Sequence, residues 1–306
     1  MESLNLRALA VCEQVVRSAK SLGVEVQPLD DQNLVLDFGV AATGGLEAGL
    51  LLARICSADL CDVQPAKISL QGQSAQAIRS ATTEPIRACL ASQYAGWQIA
   101  CGKYFAICSG PIRAAYGKEP LFDAIGHRES ADRVVGVLET SRLPDPAVFA
   151  WLRERLPKTV QQIVLCIAPT NSLAGRIQIV ARSVETACHK LFELGFDLRK
   201  VKRGRGVAPL PPAAANDFEA MGSTNDAILL AGRVKLVVDA DDHILESLGP
   251  KIPSCSSPQF GQPFAQLFEA SGRDFYKLDP ALFAPAEITL HSARTSWQKT
   301  FGIATW

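Results

Sequence analysis

The chain has 306 residues, and its 31 basic side chains are matched by 31 acidic ones, so the formal net charge is zero. With no overall excess of Lys and Arg to neutralise phosphates, nucleic acid is not expected as a partner. A hydrophobic content of 48% with 20% charged residues describes a globular chain that can bury a large core, of a length that fits one large domain or two of about 150 residues.

No apolar run approaches the ~18 residues needed to cross a bilayer, and the longest candidates, 163–168 and 227–231, have strand length. Glu2, Asn5, Arg7, Glu13 and Arg17 interrupt the apolar positions of the first segment, so no secretory signal is expected. The nine cysteines are an odd number scattered among aliphatic residues, such as Cys166 between Leu165 and Ile167. That usage suits reduced, buried thiols and a cytoplasmic protein. There is no Cys-x-x-Cys or His-x-x-x-His, and His127, His189, His243 and His291 lie far apart, so no metal is expected. Gly204-Arg-Gly206 lacks the following helix and the third glycine of a dinucleotide fingerprint.

In chain order, residues 4–22 form a predicted amphipathic helix with Leu6, Leu9, Val16 and Leu22 among its apolar positions and Gly23 as its stop. Strands follow at 24–29 and 34–38, and Thr43-Gly44-Gly45 opens a helix that runs to about Cys56. Next come a strand at 67–71, a helix near 84–93 and a strand at 104–108 ending in Ser109-Gly110-Pro111. A strand at 134–139 precedes a helix at 145–156, whose Pro146 suits a first turn. The expected crossing between domains is Lys158-Thr159. Beyond it lie an apolar strand at 161–167, a helix at 177–194 stopped by Gly195, and a basic loop at 201–210 punctuated by Gly and Pro. Strand material at 229–239 and a loop turning to helix at 255–268 complete the pattern. Alternating strands and helices imply layered α/β domains, expected at 1–158 and 159–306, with 266–306 returning to the first.

Five stretches could carry chemistry. On a continuous helix, Gln178, Arg182, Glu185 and His189 fall within about 60° of one another, which makes Arg182 and Glu185 neighbours on a polar stripe. They read either as an ordinary i,i+3 surface pair or as a proton-handling carboxylate oriented by a guanidinium. Ser109-Gly110-Pro111-Ile112-Arg113 is either a plain strand-to-helix turn or one whose backbone N–H groups receive an anion or polar ring edge. Gly222-Ser223-Thr224-Asn225-Asp226 has the same character. Lys200, Lys202, Arg203 and Arg205 are a solvated loop or an anchor for an acidic tail, and Ser92-Gln93-Tyr94-Ala95-Gly96-Trp97 is core or a holder of a flat heterocycle.

Taken together and in order, Gly44-Gly-Leu-Glu-Ala-Gly49, Leu90-Ala-Ser-Gln-Tyr-Ala-Gly-Trp97, Ser109-Gly-Pro-Ile-Arg-Ala114, Arg182-Ser-Val-Glu-Thr-Ala-Cys-His-Lys190 and Gly222-Ser-Thr-Asn-Asp226 resemble the methenyltetrahydromethanopterin cyclohydrolase family. The resemblance runs from the first helix past Asp239, while residues 273–306 give no match. It implies two α/β domains with the pterin in a cleft between them, homo-oligomers with a trimer among them, and reversible addition of water to the methenyl bridge of tetrahydromethanopterin to give the 5-formyl derivative. It implies no metal or redox cofactor, the carrier being the substrate. The family's catalytic Arg and Glu, three residues apart on a helix, fall on Arg182 and Glu185. Substrate contacts are expected at Gln93, Tyr94, Ser109, Gly110, Arg113, Ser223, Thr224 and Asn225. A non-catalytic pterin-binding protein, and the same hydrolysis on methenyl-tetrahydrofolate, are the alternatives.

The chemistry fits these residue types. The bridging carbon belongs to a cationic, amidine-like system and is electrophilic without a Lewis acid. A carboxylate at Glu185 can take a proton from water and pass one to the departing nitrogen. A neighbouring guanidinium lowers such a carboxyl's pKa and burial raises it. With a cationic centre and an anionic tail on the carrier, Glu185 and the 200–205 run would form opposite ends of a polarised cleft.

Overall fold

The computed structural model describes residues 2–274 and 277–305. In chain order the elements are α1 (Leu4–Arg17), α2 (Ala19–Leu22), β1 (Glu25–Pro28), β2 (Asn33–Asp37), α3 (Leu46–Cys56), β3 (Asp62–Leu70) and β4 (Gln73–Thr82). A π-helix (Ile86–Gln93) leads to β5 (Trp97–Cys101), β6 (Tyr104–Ser109), α4 (Ile112–Tyr116), α5 (Leu121–Ile125), β7 (Arg133–Glu139), α6 (Pro146–Arg155) and β8 (Gln162–Ala168). Then follow α7 (Leu173–Val180), α8 (Ser183–Glu193), β9 (Val201–Pro209), α9 (Asp217–Leu229), β10 (Arg233–Val238), α10 (Asp242–Leu248), α11 (Phe264–Ala270), β11 (Glu287–Ser292) and β12 (Gln298–Gly302). Mixed α/β character is thus as expected. Local chemistry sets several boundaries: Ser3 Oγ accepts the Leu6 N–H at 3.1 Å to start α1, and Gly23, at φ +66, ends α2. Asp145 and Pro146 open α6 as the sequence suggests.

Two compact units divide the chain, Met1–Cys61 with Arg87–Gln178, and Asp62–Ile86 with Ile179–Trp306. This differs from a break at 158–159. The apolar strand β8 lies inside the first unit's sheet, β1-β2-β8-β7-β6-β5, hydrogen-bonded in parallel to both β2 and β7. A strand buried on both faces needs a neighbour on each edge and a layer above and below. One layer is apolar side chains of α1 and α3, including Leu9, Cys12, Leu52 and Ile55. The other comes from α4 and α6, including Ile112, Phe149 and Leu152.

The second unit has the sheet β12-β11-β10-β9-β4-β3, all antiparallel except β10 with β11. In β10 and β11 every second residue is buried, so one face is core and the other is not. Helix α8 packs on β9, β10 and β4 on the buried side. Where a return of 266–306 to the first domain is expected, β11 and β12 extend this second sheet and the segment groups with the second unit; Phe275, Tyr276 and Trp306 lie outside the described residues.

Candidate active site

The expected helix at 177–194 is two helices, which changes the geometry of its polar stripe. At the junction the Arg182 N–H donates to the Ile179 carbonyl at 3.0 Å, and the Arg182 carbonyl accepts from the Thr186 N–H at 3.0 Å. Arg182 is the residue that precedes α8, and Glu185 stands in its first turn. An anionic side chain there faces the positive end of the helix dipole. Both are buried, with 7% and 5% of their surfaces exposed, so a solvated surface pair is ruled out. Gln178 leaves the stripe: it belongs to the first unit, where its Nε2 donates to Glu139 Oε1 at 3.1 Å. His189 lies 3.5 Å from Glu193 Oε1, one turn further on.

The basic run is not a loop. Residues 201–209 form β9, with Gly204 and Gly206 buried on the face that meets α8 and Arg203 and Arg205 exposed on the other. Lys202 is the residue left out of the β9–β10 register, since Val237 pairs with Arg203 and Val238 with Val201. This bulge explains two consecutive exposed residues in a strand. Arg203 and Arg205 therefore project from the face of the sheet opposite the one that the first turn of α8 covers. Among the described residues neither arginine makes an ion pair.

In the first unit, the block at 90–97 ends the π-helix, where the Tyr94 N–H donates to the Cys89 carbonyl at 2.8 Å. Gln93 is fully buried and Tyr94 is half-buried. Trp97 is a core residue, stacked on Tyr116 at 4.0 Å and 5°, so the pair of aromatics expected to hold a heterocycle is reduced to Tyr94. Ser109, Gly110 and Arg113 are turned inward rather than presented as an anion receptor. Ser109 Oγ lies 3.3 Å from Cys56 Sγ and donates to the Val137 carbonyl at 3.3 Å. Gly110, at φ +88, donates its N–H to the Ser92 carbonyl at 2.8 Å.

Arg113 has no exposed surface. Its Nε and Nη2 donate to Glu119 at 2.9 and 2.6 Å, and its Nη1 donates to the Leu90 carbonyl at 3.0 Å. Its guanidinium also stands 4.9 Å from the centre of the Tyr94 ring. A cation at the end of the π-helix satisfies carbonyls that the helix leaves open. This fixes Gln93 and Tyr94 from behind.

The block at 222–226 is not a turn but the middle of α9. Ser223 Oγ and Thr224 Oγ1 donate to the Ala220 carbonyl at 3.1 and 2.8 Å, and Asn225 Nδ2 donates to the Met221 carbonyl at 2.8 Å. Thr224 is fully buried, whereas Ser223 and Asn225 keep partial exposure. Asp226 Oδ1 accepts the Phe264 N–H at 2.9 Å and so caps α11. Burial raises the Asp226 carboxyl above its ordinary value, against that hydrogen bond.

Three supporting residues were missed. Asn5, fully buried, donates to the Pro111 carbonyl and Glu129 and accepts the Val135 N–H, at 3.0, 2.9 and 2.9 Å. Its position four residues before Leu9, on the apolar side of α1, was the available signal. Glu119 is the counter-ion of Arg113, and no local spacing announces it. Lys190 donates to the Ala281 carbonyl at 2.8 Å and ties α8 to the C-terminal segment, and burial lowers its pKa. Among the described residues no three His, Cys, Asp or Glu side chains gather as a metal-ligand set, and no helix is long and apolar enough to cross a membrane.

A buried carboxylate can move a proton at a reacting centre, and comparison with known sequences supplies the class of enzyme: the family described as Cyclohydrolase (MCH) matches residues 3–305, and the chain belongs to that family of hydrolases. The match takes in the C-terminal residues in which the sequence blocks gave none. Among its relatives is the methenyltetrahydromethanopterin cyclohydrolase of Methanococcoides burtonii, 39% identical over 99% of this chain and 95% of the relative. The enzyme of the same name from Methanosarcina mazei is 40% identical over 96% and 92%. That of Rhodopirellula baltica is 42% identical over 85% and 80%.

Proposed function

We propose that this chain reversibly hydrolyses methenyl-tetrahydromethanopterin to the 5-formyl derivative, with Glu185 as general base and acid and Arg182 orienting it. The observation that carries the roles is the burial of both side chains at the start of α8, in a chain of the cyclohydrolase family. Glu185 accepts a proton as water oxygen bonds to the cationic methenyl carbon, giving a neutral carbinol. The carbon–nitrogen bond then breaks, Glu185 returns its proton to the departing nitrogen, and the carbinol O–H proton goes to solvent as the formyl C=O forms. One water is consumed and one proton released. No resident metal or redox cofactor enters this reading, because the carbon is electrophilic from the start.

Gln93 and Tyr94 are the proposed pterin contacts of the first unit, with Ser109, Gly110 and Arg113 as their supports. Ser223 and Asn225 are the proposed contacts on α9, with Thr224 holding the helix. The proposed setting is the cytoplasm, with the protein as a homo-oligomer and no nucleic-acid partner; the free cysteines support a reducing compartment. The test is turnover on methenyl-tetrahydromethanopterin and methenyl-tetrahydrofolate side by side, followed by loss of the methenyl absorbance, with Glu185→Gln as control. Hydrolysis of the tetrahydromethanopterin carrier by the wild type, with binding but no turnover in Glu185→Gln, is expected. Binding without turnover in the wild type, or a preference for folate, overturns the assignment. A variant with a near wild-type rate removes the role of Glu185.

A further inference from the structure

We infer that Gly204 and Gly206 of β9, through their contacts with Ser183 and Val184, are positioning residues that set where Arg182 and Glu185 stand. The inference rests on the catalytic reading of that pair given above. A β-carbon on Gly206 would lie 2.2 Å from Ser183 Oγ, 3.1 Å from Ser183 Cβ and 3.0 Å from Val184 Cγ2. One on Gly204 would lie 2.4 Å from Val184 Cγ1 and 3.3 Å from Leu236 Cδ2. The first turn of α8 thus rests directly on the backbone of β9, so closely that a β-carbon at either glycine must displace Ser183 or Val184. Neither glycine has a positive φ, so the backbone does not require glycine here and the close approach does.

Two further observations fix attention on this contact. Ser183 is fully buried, and among the described residues its hydroxyl makes no hydrogen bond that an added β-carbon would have to break. Ser183 and Val184 also lie between Arg182 and Glu185 in the chain. Any outward shift of the two contact residues therefore moves the two flanking side chains with them. Lys190 holds the far part of the helix through the Ala281 carbonyl at 2.8 Å, so an added methyl under the first turn should tilt α8 rather than slide it. Misplacement of a reacting group by about 1 Å costs on the order of 100-fold in rate.

The experiment compares the full chain carrying Gly206→Ala, Ser183→Gly, or both, with the wild type and with Glu185→Gln. Steady-state kcat and KM are measured for methenyl-tetrahydromethanopterin, and folding is followed by circular dichroism. Gly206→Ala is expected to lower kcat about 100-fold with little change in KM, and adding Ser183→Gly, which removes the closest contact at 2.2 Å and leaves the one to Val184 Cγ2 at 3.0 Å, is expected to restore part of the loss. A folded Gly206→Ala protein with wild-type kcat overturns the inference, as does a loss that Ser183→Gly does not relieve. Should Gly206→Ala fail to fold, Ser183→Thr introduces one methyl from the helix side and is read the same way. If Glu185→Gln is inactive and Gly206→Ala is not impaired, the positioning role fails alone; an active Glu185→Gln removes the catalytic reading on which it stands.

Discussion

Removing the Arg113 guanidinium should destabilise the first unit far more than removing the whole ion pair. Arg113 has no exposed surface, and Glu119 keeps only 12% of its side-chain exposure. In Arg113→Met the Glu119 carboxylate loses both of its donors, at 2.9 and 2.6 Å, and the Leu90 carbonyl loses one at 3.0 Å. Breaking a buried pair from one side costs about 3–5 kcal/mol, because the remaining charge stays desolvated. Arg113→Met with Glu119→Gln leaves no charge behind. Its main loss is the hydrogen bonding to the π-helix carbonyls, at about 1 kcal/mol each. For a unit of about 150 residues, 1 kcal/mol corresponds to roughly 2–4 °C in Tm, so the single variant should melt about 10 °C below the wild type and the double variant should recover part of that. Urea unfolding followed by Trp fluorescence suits the purpose, since Trp97 and Trp151 both sit in this core. A single variant no less stable than the double would refute the reasoning, since the cost would then lie in packing and not in a stranded charge.

Two other predictions follow from the same kind of reading. Asp226→Asn keeps an oxygen to accept the Phe264 N–H but removes a carboxyl whose pKa burial raises. A raised folded pKa means that the native state binds the proton more readily than the unfolded chain. The wild type should therefore gain stability relative to the variant as pH falls through that raised value towards the ordinary one, and paired Tm measurements between about pH 4.5 and 7 check the sign. Arg203→Glu combined with Arg205→Glu should leave kcat and KM within about twofold, because these exposed side chains lie on the face of the sheet away from α8, where solvent screens them. A large rise in KM would show that they reach the carrier after all.

How much was legible in the sequence depended on the range of the contact that decided each element. The runs at 134–139 and 161–167 were readable because a strand covered on both faces must be apolar throughout, whatever its partners. The division into units was not, because residues 62–86 join the second unit through the pairing of β4 with β9, more than a hundred residues away in the chain. In β9 the period of two was hidden by the Lys202 bulge and by glycines at the buried positions, which left a basic, Gly-rich string that resembles a loop. The mistake at 222–226 was avoidable. Asn216 Oδ1 accepts the Glu219 N–H at 2.9 Å, and an Asn followed three residues later by Glu marks a helix start. The burial of Arg182 and Glu185 and the break that puts Arg182 just before a helix were not readable, since neither Pro nor Gly stands at 180–183.

The neutral net charge of the chain therefore has a structural counterpart in β9. Its alternation assigns one job to each face: Gly204 and Gly206 bring α8 close, and Arg203 and Arg205 point away from it. The same four residues cannot do both if the segment is a loop, because only a strand sends neighbouring side chains to opposite sides. On the proposed reading of Glu185, the positive groups nearest to it in the chain are Arg182, three residues before it, and the N–H groups of the first turn of α8. In that reading, fixed local dipoles need no rearrangement as charge develops during reaction. A chain with no net charge can thus still hold a strongly polar site, provided that the backbone delivers the polarity at short range.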